Sequence, residues 1–321
     1  MRRLLVVILI ALMASMWTPA ALSAPTVRLS IVTGGTGGVY FPLGGGLARL
    51  ISRNIPGVEA TAEVTPASVD NMRLIGAKRA DLAFTLADTA FDAFKGLAVF
   101  RGNAVPIRTL TPVYNNFNHL VTVDGTGINT IADLRGKRVS VGSPGSGTEV
   151  TAVRILEAAG LSVDRDIRRE RLGVAESVDA IKDRKLDAFF WSGGLPTGAV
   201  LDLATTPGLR IRIIPLDGLI PTLQRTYGNL YFRSVIIKEI YPGMTANVAT
   251  IGVANLLVVH QDFSAELAYQ ITKLIFERRG ELAAVHKEAA NITLTGAAGR
   301  SPVPFHPGAI RYFRERGVEG F

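Results

Sequence analysis

The sequence contains no cysteine among its 321 residues. This absence excludes disulfides, thiolate metal sites and a lipid attached to an N-terminal cysteine. Histidine is also scarce, and none of His119, His260, His286 and His306 lies at a spacing typical of metal ligands. We therefore expect a fold that is held together by its hydrophobic core and has no metal site.

Long hydrophobic runs are absent beyond the N-terminus. Met1-Arg2-Arg3 precedes an apolar run over 4–13, which is shorter than the roughly 20 residues that a membrane-spanning helix needs. A basic start, a short apolar run and small residues at 20–24 are typical of a secretory signal peptide. We predict a signal peptide over 1–23, cleaved near Ser23, and a soluble mature protein in the periplasm. An uncleaved anchor is the alternative.

Enzyme motifs are lacking as well. The glycine-rich loops have neither the Gly-Lys-Ser/Thr ending of a P-loop nor the spacing of a dinucleotide-binding fingerprint. No serine has the flanking glycines of a nucleophile elbow. These absences favour a protein that binds without turnover and without a cofactor. An exported enzyme on the same scaffold is the alternative.

Charge is in moderate positive excess. The formal net charge is +8, but the basic residues are scattered and alternate with acidic ones. They lack the interleaved aromatic residues of a nucleic-acid surface, so no nucleic-acid partner is expected. A weak preference for anionic partners remains.

Two stretches of the sequence resemble each other. In each, a loop of small residues precedes a helix-like pattern. A serine then precedes a second helix-like pattern, and an aspartate begins a strand-like run. These features lie at 32–38, 68–70 and 81–84 in the first stretch, and at 141–148, 177–179 and 187–190 in the second. The repetition predicts two similar lobes, each aiming backbone N–H groups at a ligand held between them.

Strand-like and helix-like patterns alternate along the chain with short connections, which predicts an α/β fold with two lobes. Each lobe is expected to be a small open sheet flanked by helices. A strand over 113–123 is expected to cross from the first lobe to the second, and a return crossing to fall between Ser234 and Val248. The tail after Thr293 is expected to pack on the first lobe. The predicted limits are 24–112 with 241–321 for lobe 1, and 113–240 for lobe 2.

Ligands of open α/β sheets bind beyond the carboxyl ends of the strands. This rule nominates the loops at 33–40, 65–71, 85–88, 142–149, 173–177 and 191–196. Several candidates have an alternative structural role: Ser146 and Glu149 have capping-box spacing, and Ser68 and Ser177 suit helix N-caps. Asp88 suits either a ligand ammonium group or a helix cap. The candidate ligand-binding residues are Gly35, Thr36, Gly37, Gly38, Tyr40, Ser68, Asn71, Thr85, Asp88, Ser143, Gly145, Ser146, Gly147, Thr148, Gly194 and Leu195.

The segments 35–44, 143–150, 187–190 and 194–196 together resemble a TAXI-type solute receptor of a TRAP transporter. The resemblance covers nearly the whole mature chain. It implies a periplasmic-binding-protein fold, type II-like, whose two lobes close on a small organic anion, a glutamate-like amino acid or a dicarboxylate. It also implies delivery to an ion-coupled TRAP membrane permease, and we expect a monomer. A receptor for an ABC transporter or for a membrane sensor shares this fold and is the alternative.

Overall fold

A computed structural model describes residues 26–297 and 301–321. The predicted signal peptide over 1–23 lies outside the described residues. Within them, no helix combines the length and the apolar character that a membrane span requires.

Ten strands of the described chain form one hydrogen-bonded sheet in the order β2-β1-β3-β10-β4-β7-β5-β6, with β8 beside β4 and β9 beside β10. The strands are β1 Val27–Val32, β2 Val58–Glu63, β3 Leu82–Leu86, β4 Ile107–Val123, β5 Arg138–Ser140, β6 Arg168–Glu170, β7 Ala188–Gly193, β8 Ile211–Ile213, β9 Tyr231–Ile236 and β10 Val248–His260.

Helices cover the sheet, and α-helices alternate with strands through most of the chain. They are α1 Tyr40–Asn54, α2 Ser68–Gly76, α3 Ala87–Lys95, α4 Gly147–Ala158, α5 Val174–Lys182, α6 Gly198–Ala204, α7 Ile220–Tyr227, α8 Ala265–Glu277, α9 Arg279–Val285, α10 Leu294–Ala297 and α11 Pro307–Glu315. The α/β fold predicted from the sequence is therefore confirmed.

The internal repeat is confirmed by the strand pairing. In the first half, β1 pairs in parallel with β2 and β3. In the second half, β5 pairs in parallel with β6 and β7 in the same way. The repeated aspartate has the same structural role in both halves: Asp81 accepts the backbone N–H of Ser30 and Asp187 that of Arg138, each at 2.8 Å. Each carboxylate thus fixes the start of one strand against its neighbour.

Two long strands join the lobes. β4 has 17 residues and β10 has 13, and they pair antiparallel along most of their length. β10 contacts β9 through Val248–Val253 and β3 through Asn255–Val259, so one strand serves both lobes. For this reason the two expected open sheets are continuous with each other. The lobe limits given above remain a prediction.

The core consists of three hydrophobic clusters. One lies in the first lobe and includes Leu47 on α1 and Phe313 on α11, which confirms that the described tail packs there. A second lies in the other lobe around Val178 and Phe189. The third contains Met72 on α2 and Ile155 on α4, so helices from both halves of the repeat pack against each other. This packing sets the spacing of the loops between the lobes.

Candidate functional site

A cavity of about 570 Å³ lies between the lobes. Its walls come from the loops that were nominated at the carboxyl ends of β1, β2, β5, β6 and β7, together with two positions on β4. The lining residues are 34–40, 64–68, 142–144, 146–148, 173–176 and 191–193, with Asp70, Leu86, Tyr114 and Asn116.

Four helices begin at this cavity. The first residues of α1, α2, α4 and α5, which are Tyr40, Ser68, Gly147 and Val174, all line it. The N-terminal turn of a helix has backbone N–H groups without helical partners and the positive end of the helix dipole. The repeated topology therefore places four groups of this kind around one space, which suits an anion.

Ten of the sixteen candidate ligand-binding residues line this cavity. They are Gly35, Thr36, Gly37, Gly38, Tyr40, Ser68, Ser143, Ser146, Gly147 and Thr148. The structure thus brings both glycine-rich loops to one place. The role of these residues in ligand binding remains a prediction.

Three of the other candidates are turned into the protein. Asn71 is fully buried, and its amide nitrogen donates to the carbonyls of Thr33 at 2.7 Å and Phe84 at 2.8 Å. Thr85 lies within β3, also fully buried, and its hydroxyl donates to the carbonyl of Leu86 at 3.2 Å. Neither side chain lines the cavity.

Asp88 is the third, and its position corrects the expectation of an ammonium site. Because α3 starts at Ala87 directly after β3, Asp88 lies in the first turn of a helix rather than in a loop. Its carboxylate is fully buried and accepts hydrogen bonds from the hydroxyls of Tyr231 at 2.7 Å and Thr151 at 3.3 Å. These contacts hold the carboxylate away from the cavity.

Gly145, Gly194 and Leu195 make backbone contacts instead of lining the cavity. The carbonyl of Gly145 accepts the N–H groups of Val69 at 3.1 Å and Asp70 at 3.2 Å. The N–H of Leu195 donates to Glu288 at 2.6 Å. A Cβ atom at Gly194 would lie 2.7 Å from Cγ of Glu288. These residues therefore connect segments of the fold around the cavity.

The serines also differ from one another. Ser146 is an N-cap, since its Oγ accepts the N–H of Glu149 at 3.0 Å. The reciprocal half of the capping box is absent at Ser146, because the carboxylate of Glu149 accepts the N–H of Gly145 instead, at 3.1 Å. The cap prediction is wrong for Ser68, whose Oγ accepts the N–H of Leu86 at 3.1 Å. It is also wrong for Ser177, which lies inside α5.

Close packing explains two glycines of the first loop. A Cβ atom at Gly37 would lie 3.2 Å from Cβ of Ala199, and one at Gly38 would lie 2.9 Å from the indole of Trp191. The carbonyl of Gly37 also accepts the N–H of Ala199 at 3.3 Å. The first glycine loop thus lies directly against the second half of the chain.

Asn255, Asn116 and Ser192 form hydrogen bonds beside the cavity and were not among the candidates predicted from the sequence. We name Tyr40, Asn255, Asn116, Ser192 and Thr148 the polar chain. Tyr40 donates its hydroxyl hydrogen to Oδ1 of Asn255, and Nδ2 of Asn255 donates to Oδ1 of Asn116 at 2.6 Å. Nδ2 of Asn116 donates to Oγ of Ser192 at 3.2 Å, and the N–H of Ser192 donates to Oγ1 of Thr148 at 3.3 Å. The polar chain extends from lobe 1 across β10 and β4 to the start of α4. Asparagines within otherwise apolar strands were the available signal.

The cavity has few formal charges. Among the described residues that line it, the carboxylates of Asp70 and Glu176 are the charged groups, and there is no arginine, lysine or histidine. Burial raises the pKa of Tyr40 and of Tyr114, so both phenols are neutral hydrogen-bonding groups. An anion bound here would therefore be held by backbone N–H groups, hydroxyls and helix dipoles.

Two lobes joined by paired strands, with a ligand-sized cavity between repeated helix N-termini, form the fold of a solute-binding receptor. A model of the NMT1-like family matches residues 31–317, and the chain belongs to this family.

Solved structures with a similar fold come from several bacteria. A protein from Bordetella bronchiseptica RB50 is 18% identical, with a TM-score of 0.53, over 90% of this chain and 89% of that one. The alkanesulfonate-binding protein SsuA from Xanthomonas axonopodis pv. citri, bound to MOPS, is 18% identical, with a TM-score of 0.46, over 91% and 84%. A putative L-cystine ABC transporter protein from Listeria monocytogenes is 15% identical, with a TM-score of 0.46, over 85% and 97%. At such identities the similarity concerns the fold and not the ligand.

Proposed function

We propose that this protein is an extracytoplasmic solute-binding receptor that captures a small organic anion between its lobes and delivers it to a membrane permease. The observation that carries this proposal is the meeting of four helix N-termini at one cavity of about 570 Å³. A cavity of this size accommodates a small metabolite. The signal peptide predicted over 1–23 supports a location in the periplasm.

The backbone supports an anionic ligand. Within the described residues, the N–H groups of Gly147 and Thr148 have no acceptor, and both residues line the cavity at the start of α4. Each helix N-terminus stabilises a negative charge by roughly 0.3–1 kcal/mol, and by more when it is partly buried. Several such ends supply a useful share of the roughly 8 kcal/mol that a micromolar affinity requires. A glutamate-like amino acid or a dicarboxylate fits this description.

Closure of the lobes around the ligand is the mechanism that the contacts favour. The lobes touch on two sides of the cavity, through Gly37 with Ala199 and through Gly145 with Val69 and Asp70. A ligand that contacts both lobes stabilises the arrangement in which these bridges form. Binding thereby increases the closed population that a permease recognises.

The class of transporter divides the proposal into two alternatives. A TRAP permease with a TAXI-type receptor is supported by the sequence resemblance alone. ABC transporters are the class named in similar solved structures, such as the L-cystine protein, although likenesses of fold do not decide the matter. Uptake into membrane vesicles containing the cognate permease separates the two: collapse of the ion gradient abolishes TRAP transport, whereas removal of ATP abolishes ABC transport.

Thermal unfolding with a panel of carboxylates and amino acids tests the receptor function. A ligand that binds the folded state at 100 times its Kd adds about 2.7 kcal/mol to the free energy of unfolding and raises Tm. Small-angle X-ray scattering then shows whether the same ligand makes the protein more compact. If no anion raises Tm, or if the best ligand produces no compaction, the proposed function is wrong. Turnover of a ligand by the purified protein would favour an enzyme instead.

A further inference from the structure

The donor and the acceptor of each hydrogen bond in the polar chain can be assigned, and the assignment begins with Asn255. This side chain is fully buried next to the backbone carbonyl of Tyr114, which lies 3.2 Å away and can act only as an acceptor. The amide nitrogen of Asn255 must therefore face this carbonyl, because the reverse orientation would oppose two oxygens. Oδ1 of Asn255 then faces Tyr40, whose neutral hydroxyl donates to it.

The orientation of the Asn255 amide fixes the orientation of the Asn116 amide. The second hydrogen of the Asn255 amide points to an atom of Asn116 at 2.6 Å, so this atom is the oxygen Oδ1. The nitrogen of Asn116 consequently faces Oγ of Ser192 at 3.2 Å. Ser192 must act as the acceptor in this contact, and its own hydroxyl hydrogen is left for another partner.

Thr148, at the far end of the polar chain, also accepts a hydrogen bond and so keeps its own hydroxyl hydrogen for another partner. The backbone N–H of Ser192 can act only as a donor, so Oγ1 of Thr148 accepts it, at 3.3 Å. Ser192 and Thr148 are each 6% exposed and line the cavity. In the described part of the chain, neither hydroxyl hydrogen has an acceptor. Two nearly buried hydroxyls thus have their hydrogens available to the cavity.

We propose that Ser192 and Thr148 form a subsite that donates two hydrogen bonds to one oxyanion group of the ligand, a carboxylate or a group of the same hydrogen-bonding character. Asn255 is a positioning residue, since both of its amide hydrogens are used within the protein. Asn116 orients the Ser192 hydroxyl with one amide hydrogen and itself lines the cavity. The N–H groups of Gly147 and Thr148 lie at the same end of the cavity and add further donors. This inference rests on the proposed function and specifies which ligand group lobe 2 recognises.

The subsite discriminates by the direction of its hydrogen bonds. A carboxylate accepts from both hydroxyls, whereas an ammonium group has no acceptor and leaves both hydroxyl hydrogens unpaired. A primary amide can accept a hydrogen bond from the subsite through its oxygen, but its nitrogen is a donor and cannot accept the second one. Sites built to hydrogen-bond a substrate reject analogues of the wrong polarity strongly, since buried groups are then left unpaired.

Paired ligands and isosteric variants test the subsite. The probes are L-glutamate, its two monoamides L-glutamine and L-isoglutamine, and succinate with succinamide, each measured by titration calorimetry. We expect the wild-type protein to prefer a carboxylate over at least one matched amide. Ser192→Ala and Thr148→Val should each weaken carboxylate binding about 10-fold to 100-fold. Both should also reduce the preference for carboxylate over amide, which a general structural defect would leave unchanged.

Control variants show whether the hydroxyls are the cause. Thr148→Ser keeps a hydroxyl and should restore the preference, and Thr205→Val, at the exposed residue that follows the end of α6, should have no effect. If no probe binds the wild-type protein, a glutamate-like amino acid or dicarboxylate is not the ligand, and this part of the proposed function fails together with this inference. If carboxylates bind but Ser192→Ala and Thr148→Val retain the wild-type preference, this inference alone is overturned.

Neutron crystallography tests the direction of the chain without any ligand. The deuterium on Oγ of Ser192 should point toward the cavity, and the deuterium atoms between Asn116 and Ser192 should belong to Asn116. A deuterium of Ser192 found on the line to Asn116 would overturn the assignment.

Discussion

Arg154 on α4 forms an ion pair with Asp92 on α3, and both side chains are 8% exposed. The guanidinium also lies 3.7 Å from the fully buried carboxylate of Asp88 and 3.0 Å from the hydroxyl of Tyr231. α3 belongs to the first half of the repeat and α4 to the second. One arginine therefore holds two acidic side chains across the boundary between the halves.

Removal of Arg154 should destabilise the protein strongly. Burial is the largest influence on Asp92 and raises its pKa, while attraction from Arg154 lowers it. Loss of one partner of a buried ion pair typically costs about 3–5 kcal/mol, because the remaining charge stays buried without compensation. We expect Arg154→Met to lower the free energy of unfolding by that amount in urea denaturation.

Arg135 provides the matched control for Arg154. It pairs with Asp166, but its side chain is 58% exposed. Exposed pairs contribute about 0–1 kcal/mol, so Arg135→Met should change the stability little. Equal losses in the two variants would contradict the structural role of the buried pair.

His119 should make the protein sensitive to acid. Its Nδ1 donates to the carbonyl of Phe117 at 2.8 Å, and its Nε2 lies 3.2 Å from the hydroxyl of Tyr241. Burial lowers the pKa of His119 from 6.5 to about 4. Because the unfolded chain then binds more protons, stability is complete above pH 6.5 and falls as the pH drops toward 4. The full loss is on the order of 3 kcal/mol.

Denaturation at a series of pH values measures this effect. The wild-type protein should lose stability between pH 7 and pH 4, and His119→Gln should lose less over the same interval. His260 serves as the comparison, because its side chain is 11% exposed whereas His119 is fully buried. Burial lowers the pKa of both rings, and His260→Gln should change the pH dependence less than His119→Gln. An identical pH profile for wild type and His119→Gln would show that His119 is not the source.

The repeat and its loops were predictable because they depend on local sequence. A glycine-rich loop between a β-branched strand and an apolar helix pattern requires no knowledge of distant residues, and both loops line the cavity as expected. The strand pairs could not be predicted in this way. Asn116 and Asn255 are 139 residues apart and meet only because β4 pairs with β10. Asp88 was misplaced because the sequence does not show that α3 begins without a loop after β3.

Ser264 provides a test of how much a single helix cap contributes to stability. Its Oγ accepts the N–H of Leu267 at 3.3 Å and caps α8. Ser264→Ala should lower the free energy of unfolding by about 0.5–2 kcal/mol, since one N–H of the first turn loses its acceptor. Ser264→Asp retains an acceptor and should remain near wild type. A similar loss in both variants would mean that the cap is not what stabilises this helix end.

Gly147 is the position at which a single methyl group should prevent closure. A Cβ atom there would lie 2.6 Å from Oγ of Ser68 and 2.7 Å from Cδ1 of Leu86. Both neighbours belong to the first half of the repeat, so the obstruction lies between the halves and not within α4. Contacts below 3 Å require atoms to move apart, and in a two-lobed receptor the simplest movement is separation of the lobes.

Gly147→Ala should therefore fold but fail to close. Small-angle scattering should show ligand-induced compaction for the wild-type protein and little or none for Gly147→Ala, with weaker binding of the same ligand. Gly45→Ala is the matched control, because a Cβ atom on that face of α1 meets only the end of Arg49, at 3.8 Å. Far-UV circular dichroism establishes that both variants are folded. Full compaction of Gly147→Ala at saturating ligand would show that the contact between Gly147 and Ser68 plays no part in closure.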